Sequence, residues 1–202
     1  MDRQTIVLVG DYSLKVGRTA LASKFCNNLP PFSDEHNKEV IVDGVNTSLV
    51  IVDYNPNNSD EYSPLRDAHL RLPNGFLAIY SIDKEDSFTQ LEEFCFPQIL
   101  RVKDYETNWI PMVIVGNKCD LEEARQVSTE QGMRLAEKWK CPFFETSVSM
   151  AINVDDIFVE LIRVIRKAQP KDCQIQQQVG QKKNCTLSWV NATRAIFLPN
   201  FE

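Results

Sequence analysis

Apolar residues along this chain come in two patterns, and polar, turn-forming segments separate them. Gln4 to Val9, Gly75 to Tyr80 and Pro111 to Val115 are nearly continuous apolar blocks, which predict strands buried on both faces. Lys38 to Val42 and Thr47 to Val52 flank Asp43-Gly44-Val45-Asn46, a hairpin signal that predicts two antiparallel strands. Phe143-Phe144-Glu145 predicts a brief last strand. Helices are predicted between these blocks. One runs from Thr19 to Asn27 and ends at Leu29-Pro30-Pro31, because proline lacks the N–H and disfavours a helical predecessor. A short one over Tyr62 to Arg71 is stopped by Pro73. Ser87 with Gln90, and Ser128 with Gln131, have capping-box spacing ahead of helices that run to about Lys103 and Lys140. In the last helix Val154, Ile157, Phe158, Leu161, Ile162 and Ile165 form one apolar stripe, read as core. The alternation predicts a three-layer α/β/α fold: a mostly parallel six-stranded sheet with helices on both faces and ligands at the carboxyl ends of the strands.

Length and composition narrow the picture. The 202 residues, 43% of them hydrophobic, suit one well-buried domain over 1–169. From Pro170 the chain turns to Gln, Lys, Asn and scattered apolar residues, so 170–202 is expected to be a disordered tail. A net charge of −6 without a long basic cluster argues against nucleic acid as a partner. No apolar stretch has the length of a membrane span, and no signal-peptide pattern opens the chain, so a cytoplasmic location and a monomer are expected. The six cysteines form no CxxC pair and are expected to be free thiols. His36 and His69 have no metal-ligand spacing, and solvated or capping roles are expected for them.

Candidate chemistry concentrates at three places. The first strand breaks at Gly10, loops through six residues, and re-enters a helix at Gly17-Arg18-Thr19, the outline of a phosphate-binding loop. Its usual form has four residues between the glycines and Lys after the second, so this loop is degenerate. The second place is Gly116-Asn117-Lys118-Cys119-Asp120, and the third is Glu145-Thr146-Ser147-Val148, each at a strand end. In these motifs, and in their order, residues 4 to 168 resemble the Ras-like small GTPases. The resemblance implies a P-loop NTPase-like fold and binding of GTP or GDP with Mg2+. It implies that Gly10, Gly17, Arg18, Thr19 and Ala20 face the phosphates, and that Thr19 and Asp53 serve the metal. It further implies that Asn117 ties the base loop to the phosphate loop, that the stem of Lys118 covers a base face, and that Ser147 and Val148 complete the base site. Guanine offers two adjacent donors that the single carboxylate of Asp120 can accept, which adenine does not. Arg is a broader fork than Lys, and the two extra loop residues are expected to make room for Arg18.

The side of the site that would meet the last phosphate departs from the family. After Asp53 the family has x-x-Gly-Gln, whereas this chain has Tyr54-Asn55-Pro56-Asn57. Pro56 has no N–H to give the γ-phosphate. Asn57, at the place of the water-orienting Gln, is one methylene shorter, and no catalytic residue is assigned. The segment Phe32-Ser33-Asp34-Glu35-His36-Asn37 lacks the family threonine. Two lost donors to a charged group remove about 3–6 kcal/mol. That is roughly a hundredfold to ten-thousandfold of any preference for GTP over GDP. Hydrolysis is expected to be slow or absent.

Two functional readings follow. One is a divergent guanine-nucleotide-binding protein in intracellular signalling, with effectors or regulators meeting 32–38 and 54–71. The other is a pseudo-GTPase, an interaction module that keeps the fold but holds no nucleotide. The chain ends Pro199-Asn200-Phe201-Glu202 rather than in Cys-a-a-X, and Asp2 follows Met1, so neither prenylation nor myristoylation is expected. Cys173 and Cys185 remain candidates for palmitoylation.

Overall fold

The computed structural model describes residues 2–11, 13–26, 35–53, 67, 70–103 and 110–168. Six strands form one sheet: β1 (Asp2–Val9), β2 (Glu35–Val42), β3 (Val45–Asp53), β4 (Gly75–Ser81), β5 (Met112–Asn117) and β6 (Phe143–Thr146), in the order β2-β3-β1-β4-β5-β6. Only β2 runs antiparallel, paired to β3 through the expected hairpin at Asp43-Gly44. The remaining pairings are parallel. β4 and β5 are buried at every position, as their uniform apolar runs require.

Helices cover both faces. On one face α1 (Arg18–Phe25) packs with the C-terminal helix Val154–Ala168, and Phe25 stacks on Phe158 with ring centroids 3.9 Å apart. The stripe predicted on that helix is buried throughout, joined by Val164. On the other face lie α2 (Glu85–Gln90), α3 (Phe96–Lys103) and α4 (Thr129–Trp139); Val154–Ala168 is then α5. Between α2 and α3 one turn, Leu91–Cys95, widens to π geometry, with the Phe96 N–H reaching back five residues to Leu91. Pro97 accounts for it, since a ring at that place has no N–H for Glu93 and would clash with its carbonyl.

Two local expectations are corrected. Ser87 does not cap its helix: α2 begins two residues earlier, after Lys84, and Ser87 is buried in the first turn. Its hydroxyl donates to the Lys84 carbonyl at 2.7 Å and accepts the Ser81 N–H at 2.9 Å, fixing helix to strand. The spacing is that of a capping box, but the buried end of β4 claims the hydroxyl. His36 is neither solvated nor capping. It is buried in β2 opposite Ile51, because the register that turns Val42 inward turns every even position of that strand the same way. Ser128 and Gln131 do form the expected reciprocal box. Cys26, Cys95, Cys119 and Cys141 are free thiols among the described residues. No described helix is long and apolar enough to cross a membrane. The helix predicted over 62–71 is helical at Asp67, Leu70 and Arg71 and otherwise lies outside the described residues, as do His69 and the tail 170–202.

The packing predicts a contrast. Phe158→Ala should cost about 3–5 kcal/mol in urea unfolding, because it empties a site between α1 and the sheet. Ile41→Ala, at a residue 75% exposed on β2, should change stability by no more than about 0.5 kcal/mol.

Candidate nucleotide site

The phosphate-loop outline takes its shape from two glycines. Gly10 ends β1 at φ 152°, and a Cβ there would sit 2.2 Å from the Ile79 carbonyl oxygen. Gly17 caps α1 at φ 94°, and a Cβ would lie 2.3 Å from Nδ2 of Asn117. A side chain at Gly17 would therefore push the loop off the neighbouring strand end. Between them the Asp11 carboxylate accepts from the Ser13 hydroxyl at 2.6 Å and the Leu14 N–H at 2.8 Å, folding the additional residues into a turn. Lys84 ties that turn to α2, donating to the Leu14 carbonyl at 2.7 Å. The result is a cavity of about 310 Å³ at the α1 N-terminus, lined by Asp11, Lys15 to Thr19 and Ala20. A helix start with its N–H groups facing a cavity suits an anion.

Arg18 lies beneath this cavity and turns inward. Its Nη1 donates to the Gly10 carbonyl at 3.0 Å, and its Nε lies 3.3 Å from Oδ1 of Asp53, with side-chain exposures of 3% and 8%. The other Asp53 oxygen accepts from the Thr19 hydroxyl. Asp53 stands at the end of β3 opposite Leu8 of β1, so parallel register brings it beside the loop. Thr19 and Asp53, the residues that the family resemblance gives to magnesium, are thus together. The buried guanidinium on Oδ1, however, leaves no solvent path to that oxygen. A divalent ion held through Oδ1 of Asp53 does not fit beside this ion pair as it stands.

The segments that follow β5 and β6 converge on one buried side chain. Asn117 Nδ2 donates to the Val16 carbonyl at 2.8 Å, and its Oδ1 accepts from the Thr146 hydroxyl at 3.0 Å. The Cys119 N–H donates to the Thr146 carbonyl at 3.0 Å, so the ends of β5 and β6 are joined twice. Lys118 takes a left-handed conformation, φ 65°, which aims its ammonium at Asp83, 3.5 Å away. Asp120 is exposed beyond it. Hydrogen bonds from Ser147 and Ser149 hold its carboxyl below the usual range, and the Ser149 bond measures 2.9 Å. Ser147 is buried and also bonded to Ser149, while Val148 is half-buried against the core.

Gly10, Gly17, Arg18, Thr19 and Ala20 therefore lie on one loop and helix start. Asn117, Lys118, Asp120, Ser147 and Val148 lie on the two neighbouring strand ends. Asn57 and Pro56 lie outside the described residues, as do 27–34. Three contributors were missed in the sequence. Asp83 and Lys84 follow β4 without a motif, and Ser149 replaces the usual family Lys, so its bond to Asp120 had no pattern to announce it.

A sheet of this order, with a glycine-flanked loop entering a helix and two further loops meeting it at the carboxyl ends of β5 and β6, defines a P-loop-type α/β protein. A model of the Ras family matches residues 5–167. Ras-like protein 1 of Saccharomyces cerevisiae is 42% identical over 167 residues, covering 80% of this chain and 52% of that protein. Ras-like protein 2 of Mucor circinelloides f. lusitanicus is 38% identical over 184 residues, covering 88% of this chain and 89% of its own. The chain thus spans about half the length of the first relative. It belongs to the Ras family.

Removing the convergence point should be costly. Asn117→Ala leaves the Val16 carbonyl and Thr146 hydroxyl buried without their partner, a loss of roughly 2–4 kcal/mol in chemical unfolding. Thr146→Val, which keeps the shape and strands a single atom, Asn117 Oδ1, should cost less, about 1–2 kcal/mol. Equal losses in the two variants would contradict the role given to Asn117.

Proposed function

We infer that this is a divergent guanine-nucleotide-binding protein of the Ras family, acting in signalling, with slow or absent GTP hydrolysis. The observation that carries the reading is the Asn117 bridge. It holds the phosphate loop and both base loops in one arrangement, with the Asp120 carboxylate at its open end. An ionised Asp120 accepts from the ring N–H and exocyclic amine of guanine together, and the two serines favour that ionised form. Lys118, pinned by Asp83, has its aliphatic stem available for the base face. The α1 N-terminus receives the phosphates nearest the base.

The slow hydrolysis rests on the sequence around Asp53. Pro56 brings no N–H, Asn57 is short for orienting water, and the segment before β2 has no threonine. Effector or regulator contacts are proposed at 32–38 and 54–71. Within the first of these, Glu35 to Lys38 belong to β2, the outermost strand of the sheet among the described residues, and an outer strand is a common place for a partner to add.

Equilibrium binding of labelled GDP and GTP to the full chain tests the reading. Both should bind at micromolar protein, with GTP favoured little or not at all over GDP, and ATP should not compete. Equal competition by ATP would overturn the base assignment. No binding at all would leave an interaction module of the same fold. Because Asp120 has a lowered pKa, its contribution to binding is complete above the ordinary carboxylate range and is lost only as pH falls below it. Asp120→Ala should weaken GDP binding by at least about tenfold, since it removes a charge-assisted acceptor of two hydrogen bonds.

A further inference from the structure

The guanidinium on Asp53 bears on how the site handles metal, and this inference rests on the guanine-nucleotide reading above. We propose that Arg18 acts as an internal cation in place of the divalent ion, so that this protein holds guanine nucleotide with little dependence on magnesium.

Four observations converge on it. Arg18 is nine-tenths or more buried, and its Nε lies 3.3 Å from Asp53 Oδ1. The same guanidinium bonds the Gly10 carbonyl at 3.0 Å, so it is fixed at both ends rather than swinging between them. Oδ1 of Asp53 has no solvent contact, while its other oxygen accepts from Thr19. A water-bridged metal therefore cannot reach Oδ1 of Asp53 unless Arg18 leaves, and at the other oxygen it would share the acceptor with Thr19. Finally, among the described residues no cluster of three or more His, Cys, Asp or Glu offers another cation site.

The chemistry favours an arginine for this task. A guanidinium stays charged at any working pH and presents its donors in one plane, so it can neutralise a buried carboxylate while bonding a neighbouring carbonyl. A lysine ammonium is a compact point charge and cannot span the carbonyl of Gly10 and Asp53 in the same way. A second, divalent charge beside the buried guanidinium would meet repulsion in a medium that screens poorly. The additional residues of the loop, tied down by Asp11 and Lys84, accompany the larger side chain without opening the loop.

The test is the release rate of fluorescent methylanthraniloyl-GDP from the full chain into excess unlabelled GDP, measured with millimolar MgCl2 and with excess EDTA. The two rates should agree within about tenfold, because coupling between two ligands of one site is reciprocal and small when they do not share a partner. Arg18→Lys, which frees Asp53 from the fork, should make release at least about tenfold faster in EDTA than in Mg2+. Metal dependence beyond tenfold in the unaltered chain overturns the proposal, and so does a folded Arg18→Lys variant that gains none. A thermal melt of the variant reports its folding, and the unaltered chain decides the question alone should the variant fail to fold. If no labelled nucleotide is retained in either buffer, the guanine-nucleotide reading falls and this inference falls with it. Retention with strong metal dependence removes this inference and leaves that reading standing.

Discussion

The arrangement of the candidate site depends on one buried amide. Asn117 reaches 101 positions back to Val16 and 29 positions forward to Thr146, so a single side chain holds together a loop, a strand end and a second strand end that the sequence keeps far apart. Such a bridge needs close approach, and the missing side chain at Gly17 provides it. Because both ends of the amide are buried and matched, loosening any one loop leaves a polar group without water or partner. The three loops are rigid as a set rather than one by one.

The phosphate end of the cavity is governed by a different force. Arg18 and Asp53 form an ion pair that is almost wholly removed from solvent, and such a pair is a weak source of stability but a strong determinant of arrangement. Removing one partner would strand a buried charge. The loop, β3 and α1 are therefore locked through charge, while the Asn117 bridge is made of neutral hydrogen bonds. The two ends also differ in sequence. At the base end Val148 and Ser149 stand where the resemblance would place Ala and Lys, and after Asp53 the chain has Pro56 and Asn57 where it would place Gly and Gln.

Much of this was legible in the sequence because it depends on short-range physics. Uniform apolar runs announced β1, β4 and β5, the Asp43-Gly44 turn announced the hairpin, and the stripe from Val154 to Ile165 announced its helix face. The segments after β5 and β6 were readable because Asn117-Lys118-Cys119-Asp120 and Glu145-Thr146-Ser147 carry the resemblance to the family. What was not readable is what a side chain does when tertiary neighbours compete for it. Ser87 had a cap's spacing, but Ser81 at the end of β4 lay within reach. His36 had the polarity of a surface residue, but the β2 register carried it inside. Arg18 was recognisable as the loop's basic residue, yet its pairing with Asp53 depends on β1 and β3 being parallel neighbours, which no local pattern encodes.

The central claim is that this folded arrangement still holds guanine nucleotide. The most direct measurement is the nucleotide content of the full chain purified without added ligand, released by denaturation and quantified by chromatography. The account predicts close to one guanine nucleotide per chain, with GDP present at least as readily as GTP. Protein that is folded by circular dichroism and carries no guanine nucleotide would contradict it.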